Sequence, residues 1–502
     1  MSGRPANSDA FATSRALFGS ALDWLHGAEA AALDHAQLET QLQGKGRELL
    51  RQLFQDSMDL RAAREHPHVE VIGADAVGRT RIESGHTRAL TTVFGQVSVS
   101  RMAYRRPGHA NLHPADAELN LPAEKHSHGL RRLAAIEAAR GSFDDTVAAI
   151  DRCTGVRLGK RQVERLAVAA AADFDDFYAQ RTPPTPDPNP NRTPVLVCSV
   201  DGKGIVMRPD ALRPATAKAA ATATTKLRTR LSKGEKRNRK RLAEIGAVYH
   251  AAPVPRTAAD ILAAPGQPRP PAPVAVDKWL TASVIDDAAT VISAVFDEAD
   301  RRDPNHRFTR IALVDGNNHQ IDRINTEAAA RGINVTIIID LIHVLEYLWK
   351  AAWCFHGEAD PTAETWVKDN ATAILDGNAR TVAATIRRRA TRNRLTKPQR
   401  AAADTCADYL TAKAPYLNYP QALQSGWPIA TGVIEGACRH LVKDRLDITG
   451  ARWGLSGAEA ILKLRALRSN GDFDTYWRYH LQHEHTRNHR NRYLNGQIPR
   501  AA

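Results

Sequence analysis

Three carboxylates occupy positions where their neighbours suggest chemistry. Asp201 follows the apolar run Val195 to Val200 in PVLVCSVDGKGIVMR and precedes Gly202. Asp315 follows Ile311 to Val314 in RIALVDGNNHQ and precedes Gly316. Short β-branched runs of this kind suit buried strands, and functional groups of α/β sheets gather at strand C-terminal ends. Asp-Gly is also a routine turn signal. Two such pairs, each closing an apolar strand, favour one shared acidic site. The third carboxylate, Glu435, lies in ATGVIEGACRHLVKDR. There Thr431 can cap a helix, and Arg439 and Lys443 follow four and eight residues on, along the same face. A carboxylate followed by a basic stripe fits a metal ligand beside a phosphate backbone. The plainer alternative is a surface Glu–Arg pair at i,i+4 spacing.

These side chains need a scaffold. The strand candidates 195–200 and 311–314 are joined by a third, INVTIIIDLIH, ending at Asp340. Strands alternating with helical segments predict an α/β sheet with some parallel pairing. The acids are far apart in sequence, with 114 residues from Asp201 to Asp315 and 120 from Asp315 to Glu435. The first interval holds a basic segment, Lys226–Arg241, expected as an inserted helix. The second holds a helical insertion at about 344–430, in which Trp349, Trp353 and Trp366 are assigned to core packing.

The charge distribution narrows the partners. The chain has 502 residues, with 69 Lys or Arg against 55 Asp or Glu, a net charge of +14. Two runs of +8 each carry more than the whole excess. Lys226–Arg241 includes Lys236, Arg237, Arg239, Lys240 and Arg241, and 380–400 includes Arg387, Arg388 and Arg389. Concentrated positive charge favours a polyanionic partner, here nucleic acid, over a merely solvated helix face. With 43% apolar and 25% charged residues the composition is that of a folded chain rather than a disordered or fibrous one. The most apolar run, 335–353, is broken by Asp340, His343, Glu346 and Lys350, so no membrane span is expected. No secretory signal is apparent at the N-terminus. Five widely spaced cysteines indicate neither a disulfide framework nor a local zinc site, and the expected setting is cytoplasmic.

Proline divides the chain. Residues 182–194 carry six prolines in 13 positions and read as a linker. Before it, 1–126 reads as a helical region with a β-hairpin over 86–105, turning at Gly95-Gln96. Residues 127–181 read as a helix-turn-helix. Ser142 or Asp144 caps one helix, Gly155 ends it, and a second starts near Leu158 with Lys160, Arg161 and Arg165 facing a DNA groove or its phosphates. An ordinary helical hairpin is the alternative. After the linker, 195–480 is expected to form the main domain, with a second proline cluster at 265–273 read as a loop inside it, followed by a basic, His-rich tail over 481–502.

Several motifs occur together in order: DGKGIVMRP, LSKGEKRNRKR, ALVDGNNHQ, the D-x-x-H of Asp340 and His343, GVIEGACRHLVKDR and WGLSGAEAILKLRALRSNG. Over about 195–480 the chain resembles bacterial insertion-sequence transposases of the ISKra group, which are DDE transposases with an RNase H-like core. The resemblance implies an α/β fold: an RNase H-like mixed sheet with a helical insertion, preceded by a mainly helical region with hairpin and helix-turn-helix. It implies binding of terminal inverted repeats and metal-dependent DNA cleavage and strand transfer. Asp201, Asp315 and Glu435 match the DDE triad and so would ligate metal. Asp340 and His343 resemble the D-x-x-H near the active site of Mutator-like relatives. His343 would then position a scissile-phosphate oxygen or a flanking base; a buried histidine at a helix start is the alternative.

Both steps of transposition are in-line displacements at phosphorus, which two Mg2+ ions about 4 Å apart can serve, with Mn2+ able to substitute. Asp201 would bridge both ions, Asp315 hold one and Glu435 the other. Three converging carboxylates repel by roughly 4 kcal/mol per pair at 4 Å and a dielectric of 20, so partial protonation without metal is expected. The implied partners are transposon ends and target DNA, with a homodimer or larger assembly on DNA, nucleoid-associated. Two departures stand out. No cysteine pair follows Arg101 and Tyr104, which leaves His109 and His113 as loop residues. Val442 stands where many DDE enzymes have a base seven residues after the Glu, leaving Arg439 or Lys443 to serve. The competing readings are an RNase H-like nuclease that cuts without joining and an inactive DNA-binding derivative.

Overall fold

A computed structural model describes residues 9–183, 194–222, 239–264, 266–448 and 450–500. It divides into two compact units, 1–179 with 471–502, and 180–470. Lys236 and Arg237, and most of the basic run that contains them, lie outside the described residues.

The first unit opens with α1 (Ala12–His26) and α2 (His35–Arg64). The second of these starts on a capping box at Asp34 and Gln37. The two helices run antiparallel. Ser14 donates its hydroxyl to Asp56 at 2.6 Å, and Lys45 lies over the Trp24 ring at 4.6 Å. Strands β1 (Arg81–Thr92) and β2 (Gly95–Arg105) form the hairpin, with Thr92 opposite Gly95. The turn is therefore Val93-Phe94, two residues before the expected Gly95-Gln96. Gly95 instead enters β2 at φ +123°, a conformation open to glycine. Three mutually packed helices follow: α3 (His128–Arg140), α4 (Phe143–Thr154) and α5 (Lys160–Ala170). Ser142 caps α4 through a capping box with Asp145, and Gly155 ends it at φ +73°.

The second unit is built on one five-stranded sheet. Its strands are β3 (Val195–Val206), β4 (Lys240–Ala251), β5 (Ala275–Ser283), β6 (Arg310–Val314) and β7 (Val335–Ile339), in the order β5-β4-β3-β6-β7. Strand β4 is antiparallel to both its neighbours; β6 runs parallel to β3, and β7 parallel to β6. The residues of β6 are all buried, as expected for a parallel strand covered on both faces. Helix α6 (Ala288–Arg302) packs on β3 and β4, and α7 (Asn318–Arg331) returns the chain from β6 to β7.

Helices α8 (Leu341–Ala352), α9 (Pro361–Leu375), α10 (Ala379–Arg392) and α11 (Lys397–Lys413) follow, over the stretch of about 344–430 expected to be helical. Next come α12 (Gly432–Ala437), a π-helical stretch Cys438–Lys443, and α13 (Leu455–Ser469), which packs on β5. Of the three tryptophans assigned to the core, Trp366 packs against Phe355, whereas Trp353 is half exposed.

The end of the chain differs from expectation. Helix α14 (Phe473–Asn488) belongs with the first unit, so the boundary falls at 470/471 rather than 480. Nor is 481–502 a free basic tail. Asp173 accepts hydrogen bonds from His480 and Arg487, and Glu484 takes the guanidinium of Arg131. Among the described residues no helix is long and apolar enough to cross a membrane.

Candidate active site

Strand register brings the acids to one level. Ser199 pairs with Leu313 across β3 and β6, and Val314 with Ile339 across β6 and β7. Continued past the strand ends, these registers set Asp201 beside Asp315 and Asp315 beside Asp340. Adjacent strands lie about 4.8 Å apart. The expected strand 195–200 is too short: β3 runs through Asp201, which pairs with Ile245, and on to Val206. Asp201-Gly202 is therefore not a turn. Asp315-Gly316 does leave its strand, with Gly316 at φ +95°. A Cβ there would lie 2.8 Å from the Tyr409 hydroxyl, which donates to the Asp315 carbonyl at 3.0 Å. Glycine is what allows the backbone to pass so close.

Asp340 is the buried hub. It caps α8 by accepting from the Ile342 amide at 3.0 Å, and it accepts from the Thr431 hydroxyl at 2.7 Å and amide at 3.3 Å. His343 approaches the same carboxylate at 3.4 Å. Burial would raise the Asp340 pKa, but these hydrogen bonds outweigh it and hold the group below its ordinary value. The bond to Asp340 in turn raises His343, with Asp315 adding to the effect. Asp340, His343 and Glu435 can bring one ligand atom each within 4.8 Å of one another. Thr431 thus stands at the N-cap position but caps nothing. Its hydroxyl ties α12 to Asp340 instead.

The helix after Glu435 is not the regular one expected. From Cys438 the chain is π-helical, which displaces Lys443 from the α-helical face of Glu435. Cys438 thereby points at Asp201, its thiol donating to Oδ2 at 3.1 Å. Burial, then the adjacent Asp201, raises the thiol pKa and keeps the proton in place. Asp201 Oδ1 accepts from the Gly202 amide at 2.6 Å, and Asp315 Oδ1 from the Asn317 amide at 2.8 Å. Every carboxylate oxygen has two lone pairs, so each acid keeps capacity for a ligand.

Asp201 and Asp315 line one cleft together with Arg213, Glu244, Asp287 and His319. The motifs gave no sign of Glu244. It sits on β4 opposite Gly202, one strand over from Asp201. Burial first, then Asp201 and Asp287, push it up to about 7, against the pull of Arg213. Glu244 lies outside the expected triad, and burial rather than carboxylate crowding is the larger cause of its shift. Its only sequence signal is an acid between a basic run and an apolar strand.

The expected DNA contacts divide. Arg161, Arg165, Arg388, Arg439, Lys443 and Lys240 are exposed. Lys160 is paired with Asp144 at 2.6 Å, and Arg387 with Asp408. Two are structural rather than free. Arg241 donates to the carbonyls of Val284 at 2.7 Å, Ile285 and Ala211. Arg389 lies over the rings of Phe355 and Trp366, at 4.7 and 5.7 Å, and bonds His356. Arg239 is half-buried, its carbonyl accepting from Met207. Lys240 and Arg241 open strand β4, where a helix was expected. Of the histidines in the segment after the hairpin, His109 pairs with Asp75, and His113 stacks on His86. No protein-family model matches this sequence, and no curated protein is significantly similar to it.

Proposed function

We propose that this chain is a DDE-type DNA transposase that cuts and joins DNA at one acidic site. The observation that supports the reading is the one cleft lined by Asp201, on β3, and Asp315, just past the parallel strand β6, with Glu435 of α12 near Asp340 and His343. The RNase H-like assignment rests on the strand order β5-β4-β3-β6-β7, in which the second strand in sequence alone is antiparallel. The two dense basic runs and the three-helix arrangement α3–α5 support DNA as the substrate.

The donor set suits a hard divalent cation. Carboxylate oxygens are the donors that Mg2+ and Mn2+ take, which leaves the His343 imidazole to other tasks. Asp201, Asp315 and Glu435 would hold the cation. Such ions, when bound, activate a water or 3′-hydroxyl and stabilise the leaving oxygen. The remaining tasks fall to the chain. Asp340 orients the His343 ring and favours its protonated form, which can donate to a phosphate oxygen. Cys438 fixes the rotamer of Asp201. Arg213, exposed at the cleft, offsets phosphate charge among four acids.

The test is a cleavage and joining assay on a supercoiled plasmid carrying the element's own ends, with Mg2+ or Mn2+. Wild type should yield cut and joined products, and Asp315→Asn should lose at least ~1,000-fold while still binding DNA. Cutting without joining would point to a nuclease. Specific binding with no cutting by wild type would point to an inactive derivative.

A further inference from the structure

Helix α11 reaches the loop that carries Asp315 at two points. Tyr409 donates its hydroxyl to the Asp315 carbonyl at 3.0 Å. Lys413, four residues on and therefore on the same helix face, donates to the side-chain oxygen of Asn318, the first residue of α7. The Tyr409 ring is itself held, stacked on Tyr347 of α8 with centroids 4.0 Å apart and planes 17° from parallel. Lys413 is only 7% exposed, which is rare for a lysine. A buried ammonium is costly unless it is compensated, and here the charges of Asp315 and Asp322 attract it. The same device recurs one strand over. Tyr419, shortly after α11 and fully buried, donates at 2.9 Å to the carbonyl of Ile339, the residue before Asp340.

We infer that α11 positions Asp315 for a divalent cation, with Tyr409 and Lys413 as the positioning residues. The inference rests on the proposed function, because it takes Asp315 as a metal ligand. Asp315 needs support from outside its own strand. Asp201 lies within β3 and is paired with Ile245, whereas Asp315 stands one residue past the end of β6. The next residue, Gly316, has φ +95°, so the ladder no longer fixes the backbone there. The loop supplies one restraint of its own, the Asn317 amide donating to Asp315 Oδ1 at 2.8 Å. That bond orients the carboxylate only as firmly as the turn over 315–318 is held. Tyr409 grips the first residue of this turn and Lys413 the last. Both act through Asp315 and need touch neither metal nor DNA. Partners one bond removed from a ligand are typically worth about 10- to 100-fold in metal affinity or activity.

Mn2+ binding to the full-length protein without DNA, followed by the paramagnetic resonance of the free ion, tests this beside cleavage at graded Mg2+. Tyr409→Phe keeps the ring on Tyr347 and removes only the hydroxyl, so circular dichroism should not change. Mn2+ affinity should fall about 10-fold, and half-maximal cleavage should need about 10-fold more Mg2+, with most of the rate regained at saturating metal. Lys413→Met, which keeps the length of the side chain, should act in the same direction. In an Asp315→Asn background, Tyr409→Phe should have no further effect on Mn2+ affinity, which a general loosening of the fold would not produce. Three results would overturn the proposal: unchanged Mn2+ affinity in Tyr409→Phe, a rate loss that saturating metal does not restore, or an equal effect of the hydroxyl with and without the Asp315 carboxylate. Failure of the proposed function looks different. Asp315→Asn with wild-type Mn2+ affinity would remove Asp315 as a ligand and both readings with it. A weakened Asp315→Asn beside an unaffected Tyr409→Phe would sink the positioning role alone.

Discussion

At the scale of single residues, the candidate site is organised by a carboxylate that the expected acidic triad does not include. Asp340 is wholly buried and its oxygens hold an amide of α8, the ring of His343 and both polar groups of Thr431. Thr431→Val keeps the shape and removes the hydroxyl. A buried charged acceptor then loses a donor, which costs about 1–3 kcal/mol. Urea unfolding of the purified variant should show that loss, and an unchanged midpoint would mean that water replaces the hydroxyl. Glu244 makes the opposite case. Its pKa is raised by burial to about 7, so folding favours the protonated form. Its unfolded value lies near 4.5. The stabilisation from proton uptake is complete below that value and lost as pH rises through about 7. In metal-free protein, Glu244→Gln should therefore raise stability at pH 8 by up to about 3 kcal/mol and change little at pH 4. Chemical denaturation at the two pH values gives the comparison; equal effects at both would contradict the burial argument.

At the scale of elements, what was legible followed from local pattern. The β-branched runs ending at Asp315 and Asp340 are strands because nothing else buries them so well. The Ser142 cap and the Gly155 stop are local chemistry and are found where the sequence puts them. What was hidden depends on tertiary contacts. Nothing in GACRHLVKDR announces a π-helical stretch, since residue spacing alone implies a regular helix. Lys240 and Arg241 look like part of a basic helix, but pairing with β3 makes them a strand, and Arg241 spends its donors on backbone carbonyls. Burial of that kind cannot be read from charge. The helix α5 carries a sharper expectation. Removing 127–181 would not isolate DNA reading, because Arg131 and Asp173 hold α14 in place. Arg161→Ala with Arg165→Ala leaves those contacts intact, as both residues are exposed. Sequence-specific binding should fall by at least ~10-fold while binding to random DNA weakens only by the loss of two phosphate contacts, a salt slope lower by about 1.8. Band-shift titrations on specific and random duplexes at several salt concentrations measure both quantities, and unchanged specificity would move the reading element elsewhere.

At the scale of the whole molecule, composition misled most where charge was internal. A C-terminal segment rich in His and Arg reads as a solvated tail, yet it supplies a buried ion network that returns the chain to its first unit. His480 is fully buried against Asp173, and Arg487 reaches the same carboxylate from the next turns of α14. Burial alone would raise the Asp173 pKa; the bonds from His480 and Arg487 reverse this and hold it well below the usual carboxylate range. Glu484 is lowered as well, chiefly because its bonds and attraction to Arg131 outweigh burial. Folded values below the unfolded ones mean that both groups stabilise the fold above about pH 4 and that this contribution is lost as pH falls below it. The first unit should therefore unfold in acid before its apolar core would dictate. Asp173→Asn separates this from general acid sensitivity. At pH 7 it strands a buried His480 and a half-exposed Arg487 against a neutral amide, costing about 3 kcal/mol or more. Below about pH 4 the unfolded wild type takes up a proton that the folded carboxylate still refuses, so the gap between the two proteins should narrow as pH falls toward 3. Urea midpoints followed by tryptophan fluorescence from pH 3 to 7, with Trp477 on α14 itself, would show the two curves converging toward acid. Parallel curves would mean that the network orders the helix without governing its stability.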